Sequence, residues 1–172
     1  AVLQDAGHFD QVWCLGDIVG YGPQPNECIE RLREFDLIPL AGNHDLGVVG
    51  KLALWDFSPD AQEAVFFTRH LLSVKHREWL ETLNSVTVLP EFDITLVHGS
   101  PRDPVREYIW TPDVARLNFI QMATSICLNG HTHIPSMFRF TTTSIKPGIS
   151  FQRLKPNIPI ALTPDHLIIN PG

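Results

Sequence analysis

Short apolar runs recur along this chain, and each is closed by glycine or a polar turn. "QVWCL" (11–15), "LIPL" (37–40), "VTVL" (86–89), "ITLV" (94–97), "SICL" (125–128) and "HLIIN" (166–170) have the length and content of buried strands. "MFRFTT" (137–142) alternates apolar and polar residues, which predicts a strand with one exposed face. Other stretches carry helical spacing. Cys28, Ile29, Leu32 and Phe35 predict a helix over 26–35, with Asn26 as its cap. Further helices are expected over 58–72, with Pro59 in its first turn, over 73–83, capped by Ser73, and over 111–121, capped by Thr111. The opening "AVLQDAGHFD" reads as the last turns of a helix entering a loop. Strands and helices alternate early, and strand pairs dominate later. That order predicts an α/β fold with a mixed sheet or two stacked sheets.

Four of the runs end alike. "VWCLGD" runs into Asp17, "IPLAGNHD" into Asn43, His44 and Asp45, "ITLVHGS" into His98, and "ICLNGHTH" into His131 and His133. In open α/β sheets, ligands gather outside the carboxyl ends of strands. A carboxylate, an amide oxygen and imidazoles make a mixed nitrogen and oxygen donor set without thiolate. Such a set suits divalent Mn, Fe, Zn, Co or Ni better than a structural zinc cage, and better than Ca or Mg. Two histidines flanking one threonine after Gly130 have little use in packing. The remaining histidines, His8, His70, His76 and His166, lack this context and are expected to face solvent.

Bulk properties narrow the picture. The 172 residues suit one domain with a core of ordinary size. A net charge of −6, with no run of Lys and Arg, disfavours a duplex-binding face. No apolar stretch reaches the roughly 20 residues that span a bilayer. Three cysteines without a CxxC argue against a disulfide framework, and Cys14 and Cys127 are expected as buried apolar residues. A reducing, cytoplasmic setting is the corresponding expectation. There is no P-loop and no GxSxG elbow, and Ser100 beside His98 does not make a triad. Trp55, Trp110 and Phe119 are expected in the core.

In this order and spacing, "GDIVGYG", "GNHD", "VHGS" and "GHTH" resemble the calcineurin-like metallophosphoesterase superfamily. The longer stretches "VWCLGDIVGYGPQPNECIERL", "VHGSPRDP" and "NGHTHIP" are similar to its bacterial branch of small predicted phosphodiesterases, grouped with diadenosine-tetraphosphatase-like proteins. The resemblance implies a four-layer αββα sandwich of two mixed sheets around a dinuclear metal centre. Asp17 would bridge two divalent transition-metal ions. Asn43, His98 and His131 would complete the second site, and His133 would bind the first. His44 would touch the phosphate and protonate the leaving group, oriented by Asp45. Arg102 and Tyr21 are candidate substrate contacts.

The implied reaction is hydrolysis of a phosphoester P–O bond by a metal-bridging hydroxide. The partner would be a small phosphorylated molecule such as a nucleotide, with no duplex nucleic acid and no membrane; the sequence implies no particular oligomeric state. One departure stands out: the family's opening Asp-X-His is absent, so the first metal site keeps only Asp17 and His133. The expectation is therefore one metallophosphoesterase domain over 1–172, truncated at both ends and lacking its first strand and its C-terminal strands. A non-catalytic metal-binding or scaffold member of the same fold is the alternative.

Overall fold

The computed structural model describes residues 7–141, 148–162 and 165–172. The opening helix expected before Gly7, and Thr142 at the end of "MFRFTT", lie outside them. The described strands form two sheets. Val12–Cys14 (β1) and Leu37–Pro39 (β2) pair in parallel, with Val12 opposite Leu37. Helix α1 (Pro25–Leu32) lies between them in the chain. The larger sheet runs Val86–Leu89 (β3), Ile94–Val97 (β4), Ile126–Asn129 (β5), His166–Asn170 (β8), Ser136–Thr141 (β6) and Gly148–Arg153 (β7). Its centre, β4, β5 and β8, is parallel; β3, β6 and β7 join antiparallel. The expected α/β fold is therefore present, and the larger sheet is the mixed one.

Alternation along the parallel strands builds a core on each face. In β4, Leu96 packs with Leu40, Leu89, Trp13 and Ile38, between the larger sheet and the β1–β2 pair. Its neighbour Val97 points the other way, to Cys127, Phe138, Ile168 and Ala115 of helix α5 (Pro112–Phe119). Burial on both faces explains why these strands read as unbroken apolar runs. A separate cluster of Ile29, Val48, Val65, Leu72 and Leu80 gathers α1 with helices α2 (Asn43–Val48), α3 (Pro59–Leu71) and α4 (Val74–Glu81). Ser73 and Thr111 cap their helices as expected, and Ser58 caps a third. Ser58, Ser73 and Thr111 accept from the N–H groups of Ala61, His76 and Val114, at 3.2, 3.3 and 3.3 Å. Among the described residues, no helix is long and apolar enough to cross a membrane.

Several expectations are corrected. Asn26 is not a cap: Gln24 precedes α1 and Pro25 opens it. Asn26 braces two helices instead. Its amide donates to the Leu71 carbonyl (2.9 Å), and its oxygen accepts from the Ser73 N–H (2.9 Å) and from His76 Nδ1 (2.8 Å). His76 is thus buried rather than solvent-facing, on the same face of α4 as Leu80, one turn away. Trp55 and Trp110 are exposed, at 77% and 59%, while Phe119 does pack against the core. Cys127 is buried, Cys14 only partly so.

Candidate metal centre

All four polar strand ends open on one side of the fold. After β1, the chain turns sharply at Gly16 (φ 95°) and Asp17 (φ 54°). The left-handed region tolerates Gly, and Asp better than most residues. After β2, Gly42 leads into α2, which places Asn43, His44 and Asp45 in its first turn. His98 follows β4. After β5, His131 (φ 63°) and His133 (φ 53°) are both left-handed, so "LNGHTHIP" is the turn that its Gly and Pro predict. Asn170 at the end of β8 fixes this turn, donating to the Gly130 carbonyl and to the Thr132 hydroxyl. The approach of the first two loops leaves no room at Gly42, where a Cβ would sit 2.1 Å from Asp17 Oδ1.

Hydrogen bonds at the far side of two imidazoles decide what faces inward. His98 Nδ1 lies 2.7 Å from the Leu15 carbonyl, which can only accept, so Nδ1 carries the proton. His131 Nε2 lies 3.3 Å from the Arg106 carbonyl and is fixed in the same way. The lone pairs of His98 Nε2 and His131 Nδ1 therefore face each other at 3.1 Å. Asn43 Oδ1 stands 3.0 Å from the same His98 nitrogen, and Asp17 Oδ1 stands 3.7 Å from it. Four acceptors converge with no donor among them. Outer hydrogen bonds of this kind are the usual way a protein orients metal-binding histidines. Burial holds both rings neutral, lowering His98 and His131 to about 4.

Asp17 presents its other oxygen to a second pole. Oδ1 accepts from the His44 N–H (3.0 Å), whereas Oδ2 is buried without any hydrogen-bond partner. His133 Nε2 lies 3.9 Å from Oδ2. Burial raises the Asp17 pKa, and the surrounding imidazoles pull it back. A buried, unpartnered carboxylate oxygen is costly unless a cation sits against it. The donors on the His98 and His131 side of Asp17 thus fit a divalent cation. Among the described residues, Asp17, His98 and His131 bring ligand atoms within 4.8 Å of one another. Among the described residues, Asp17 Oδ2 and His133 Nε2 are the donors at the second pole.

His44 lines a cleft of about 390 Å³ beside this cluster. Its ring stacks on Tyr21, with centroids 4.0 Å apart and planes 27° apart. Burial lowers its pKa, and the charge of Asp17 opposes that. The Gly20 carbonyl also favours the protonated ring, but Nδ1 makes no well-formed hydrogen bond. Asp45 does not orient this imidazole, which corrects the expectation. Its carboxylate accepts from the N–H groups of Ile18, Val19 and Gly42 at 3.1, 2.9 and 2.8 Å, tying the Asp17 loop to the start of α2. Burial pushes this carboxyl up to about 7, Asp17 adds to the rise, and the three amides oppose it.

Of the two candidate substrate contacts, Tyr21 lines the cleft and Arg102 does not. Arg102 pairs with Glu107 at 2.9 Å, and Glu107 also accepts from Ser100 and Asn118, so this network closes the loop after β4. The arginine in the cleft is Arg106, from the same "PRDPVREY" stretch. Tyr108 is there too, stacked on His131 at 3.8 Å. Two arginines four residues apart on a loop give no periodicity by which to choose between them.

Comparison with known proteins agrees with this geometry. A family model for the calcineurin-like phosphoesterase superfamily domain matches residues 1–172. An uncharacterised protein of Methanocaldococcus jannaschii is 32% identical over 140 residues, which is 78% of this chain and 56% of that protein. The chain thus spans little more than half the length of that curated relative. The crystal structure of a metallophosphoesterase from Sphaerobacter thermophilus superposes with a TM-score of 0.84 at 40% identity, covering all of this chain and 69% of that one. A hypothetical protein of Pyrococcus horikoshii shares the fold, with a TM-score of 0.66 at 20% identity over 82% of this chain and 64% of that one. Converging acceptors at four strand ends, the whole-length family match and the 40% identical metallophosphoesterase agree: this chain belongs to the calcineurin-like phosphoesterase superfamily.

Proposed function

We propose that residues 1–172 act as one catalytic domain of a metal-dependent phosphoesterase. The observation that carries this reading is the pair of imidazole lone pairs 3.1 Å apart, held there by the Leu15 and Arg106 carbonyls beside Asn43 and Asp17. A divalent cation placed between them would satisfy all of these acceptors at once. Asn43, His98 and His131 would hold one divalent transition-metal ion, His133 would contribute to a second, and Asp17 would face both. Two such ions, when bound, supply positive charge for the phosphoryl oxygens and make a water acidic enough to attack. The protein's own part is to orient and to move a proton. As the water oxygen bonds to phosphorus, the P–O bond to the leaving group breaks, and His44 gives that oxygen a proton. A docked phosphate anion favours the imidazolium and so offsets the burial of the ring. Tyr21 holds the ring plane, and Asp45 keeps the Asp17 loop in register with α2. The substrate on this reading is a small phosphoester, since the cleft is about 390 Å³ and the chain carries a net charge of −6.

The test is turnover by the full-length protein, stripped of metal and then given Mn²⁺, on bis-p-nitrophenyl phosphate and p-nitrophenyl phosphate. Hydrolysis is expected to appear with Mn²⁺ and to vanish on chelation. A protein that binds Mn²⁺ tightly and hydrolyses neither ester would instead be a metal-binding scaffold.

A further inference from the structure

The cleft next to His44 is where a leaving group would lie, and its walls have a definite character. Tyr21, Phe57 and Tyr108 give it three aromatic rings. Its charged side chains, among the described residues, are Asp56 and Arg106, and they form an ion pair with each other. Arg106 is further committed: Nη2 donates to the Ala53 carbonyl at 3.0 Å, and the guanidinium lies 4.9 Å from the ring centre of Trp55. Both members of the pair are mostly buried, at 24% and 31% side-chain exposure. Arg106 is thus neutralised and tethered, and it does not stand free to receive a phosphate. Among the described residues, no lysine lines the cleft.

Resting on the phosphoesterase reading, we propose that this cleft selects a flat, uncharged leaving group and rejects a leaving group that carries further phosphates. The aromatic walls offer stacking faces to a ring, such as an aryl alcohol or a nucleoside. Asp56 and Arg106 offer hydrogen bonds to its hydroxyl or ring polar atoms. A polyphosphate leaving group would place fresh negative charge beside the Asp56 carboxylate, with no unpaired cation to receive it. Because Asp56 already neutralises the guanidinium, that added charge would enter a partly buried cleft without a counter-charge, and this sets the selectivity. Asp56 is the discriminating residue, because it cancels Arg106.

Asp56→Asn keeps the shape and the capacity to accept from Arg106, and removes the charge. Two measurements on the full-length protein test the proposal. In calorimetry with adenosine and with ADP as probes, Asp56→Asn is expected to tighten ADP about tenfold or more and to change adenosine less than threefold. In turnover, the wild type is expected to prefer bis-p-nitrophenyl phosphate over ATP as judged by kcat/KM, and Asp56→Asn to narrow that preference about tenfold. An unchanged ADP affinity in the variant, or a wild type that prefers ATP, overturns the proposal. The binding arm needs no hydrolysis, so a failed phosphoesterase reading and a failed selectivity reading give different results.

Discussion

Replacing Asp17 with asparagine is expected to strip the protein of metal and to lower turnover by about 10³-fold, with little change in fold. The charge is the reason. Asp17 directs Oδ1 toward His98 and leaves Oδ2 buried without a donor, so one carboxylate faces both poles of the cluster. Of the other acceptors, His98 and His131 are held neutral by burial, and Asn43 offers an uncharged amide oxygen. On the proposed reading, removing the anion would leave bound cations without a counter-charge in a buried site. Losing their contribution, several kcal/mol of transition-state stabilisation, corresponds to roughly two to four powers of ten in rate. Asparagine keeps the rest. It tolerates the left-handed backbone at φ 54°, and its Oδ1 can still accept the His44 N–H. Metal content by atomic emission and the thermal midpoint check the two halves separately. Full metal content in Asp17→Asn would remove Asp17 from the centre.

His44→Asn is expected to lower turnover about 10²-fold while metal content stays at the wild-type value. His44 lies in the cleft wall, stacked on Tyr21, and its ring is absent from the four-acceptor cluster. On the proposed reading it would protonate the departing oxygen. The loss should therefore depend on that oxygen. An ester of p-nitrophenol, whose anion leaves without help, should lose less than an ester of a simple alkyl alcohol. An equal loss on both would make His44 a phosphate contact and not an acid. Because Asp45 braces the loop and not the ring, Asp45→Asn should act through metal binding and stability and should not reproduce this leaving-group dependence.

The sequence made the strand ends legible because burial on both faces forces an apolar run. Any polar side chain that follows glycine at such an end then stands out. Asp17, Asn43, His44, His98, His131 and His133 all come together on that signal. What escaped it has local causes. Helix α2 spans six residues, contains Gly47 and is nucleated by the bond from the Gly42 N–H to Asp45, so it has no periodicity to read. Strand β7 is an edge strand, paired among the described residues to β6, and its apolar side is only Ile149 and a half-exposed Phe151, too little to read as a strand. His76 was legible in principle, since it lies one turn before Leu80, but its isolation from the metal motifs made it look like a surface residue. Arg106 and Tyr108 enter the cleft because the Ser100–Glu107–Asn118 network folds their loop back, and that network is tertiary. The exposure of Trp55 follows from the same contact, because its ring covers the Arg106 guanidinium from outside.

The central claim is that His98, His131, Asn43 and Asp17 converge to hold a cation. Crystals grown with Mn²⁺ and measured for anomalous scattering test it most directly. The expected result is a peak about 2.0–2.4 Å from His98 Nε2, His131 Nδ1, Asn43 Oδ1 and Asp17 Oδ1, with the Leu15 and Arg106 carbonyls still bonded to the outer ring nitrogens. Those side chains in the same place at saturating Mn²⁺, with no peak between them, would contradict it.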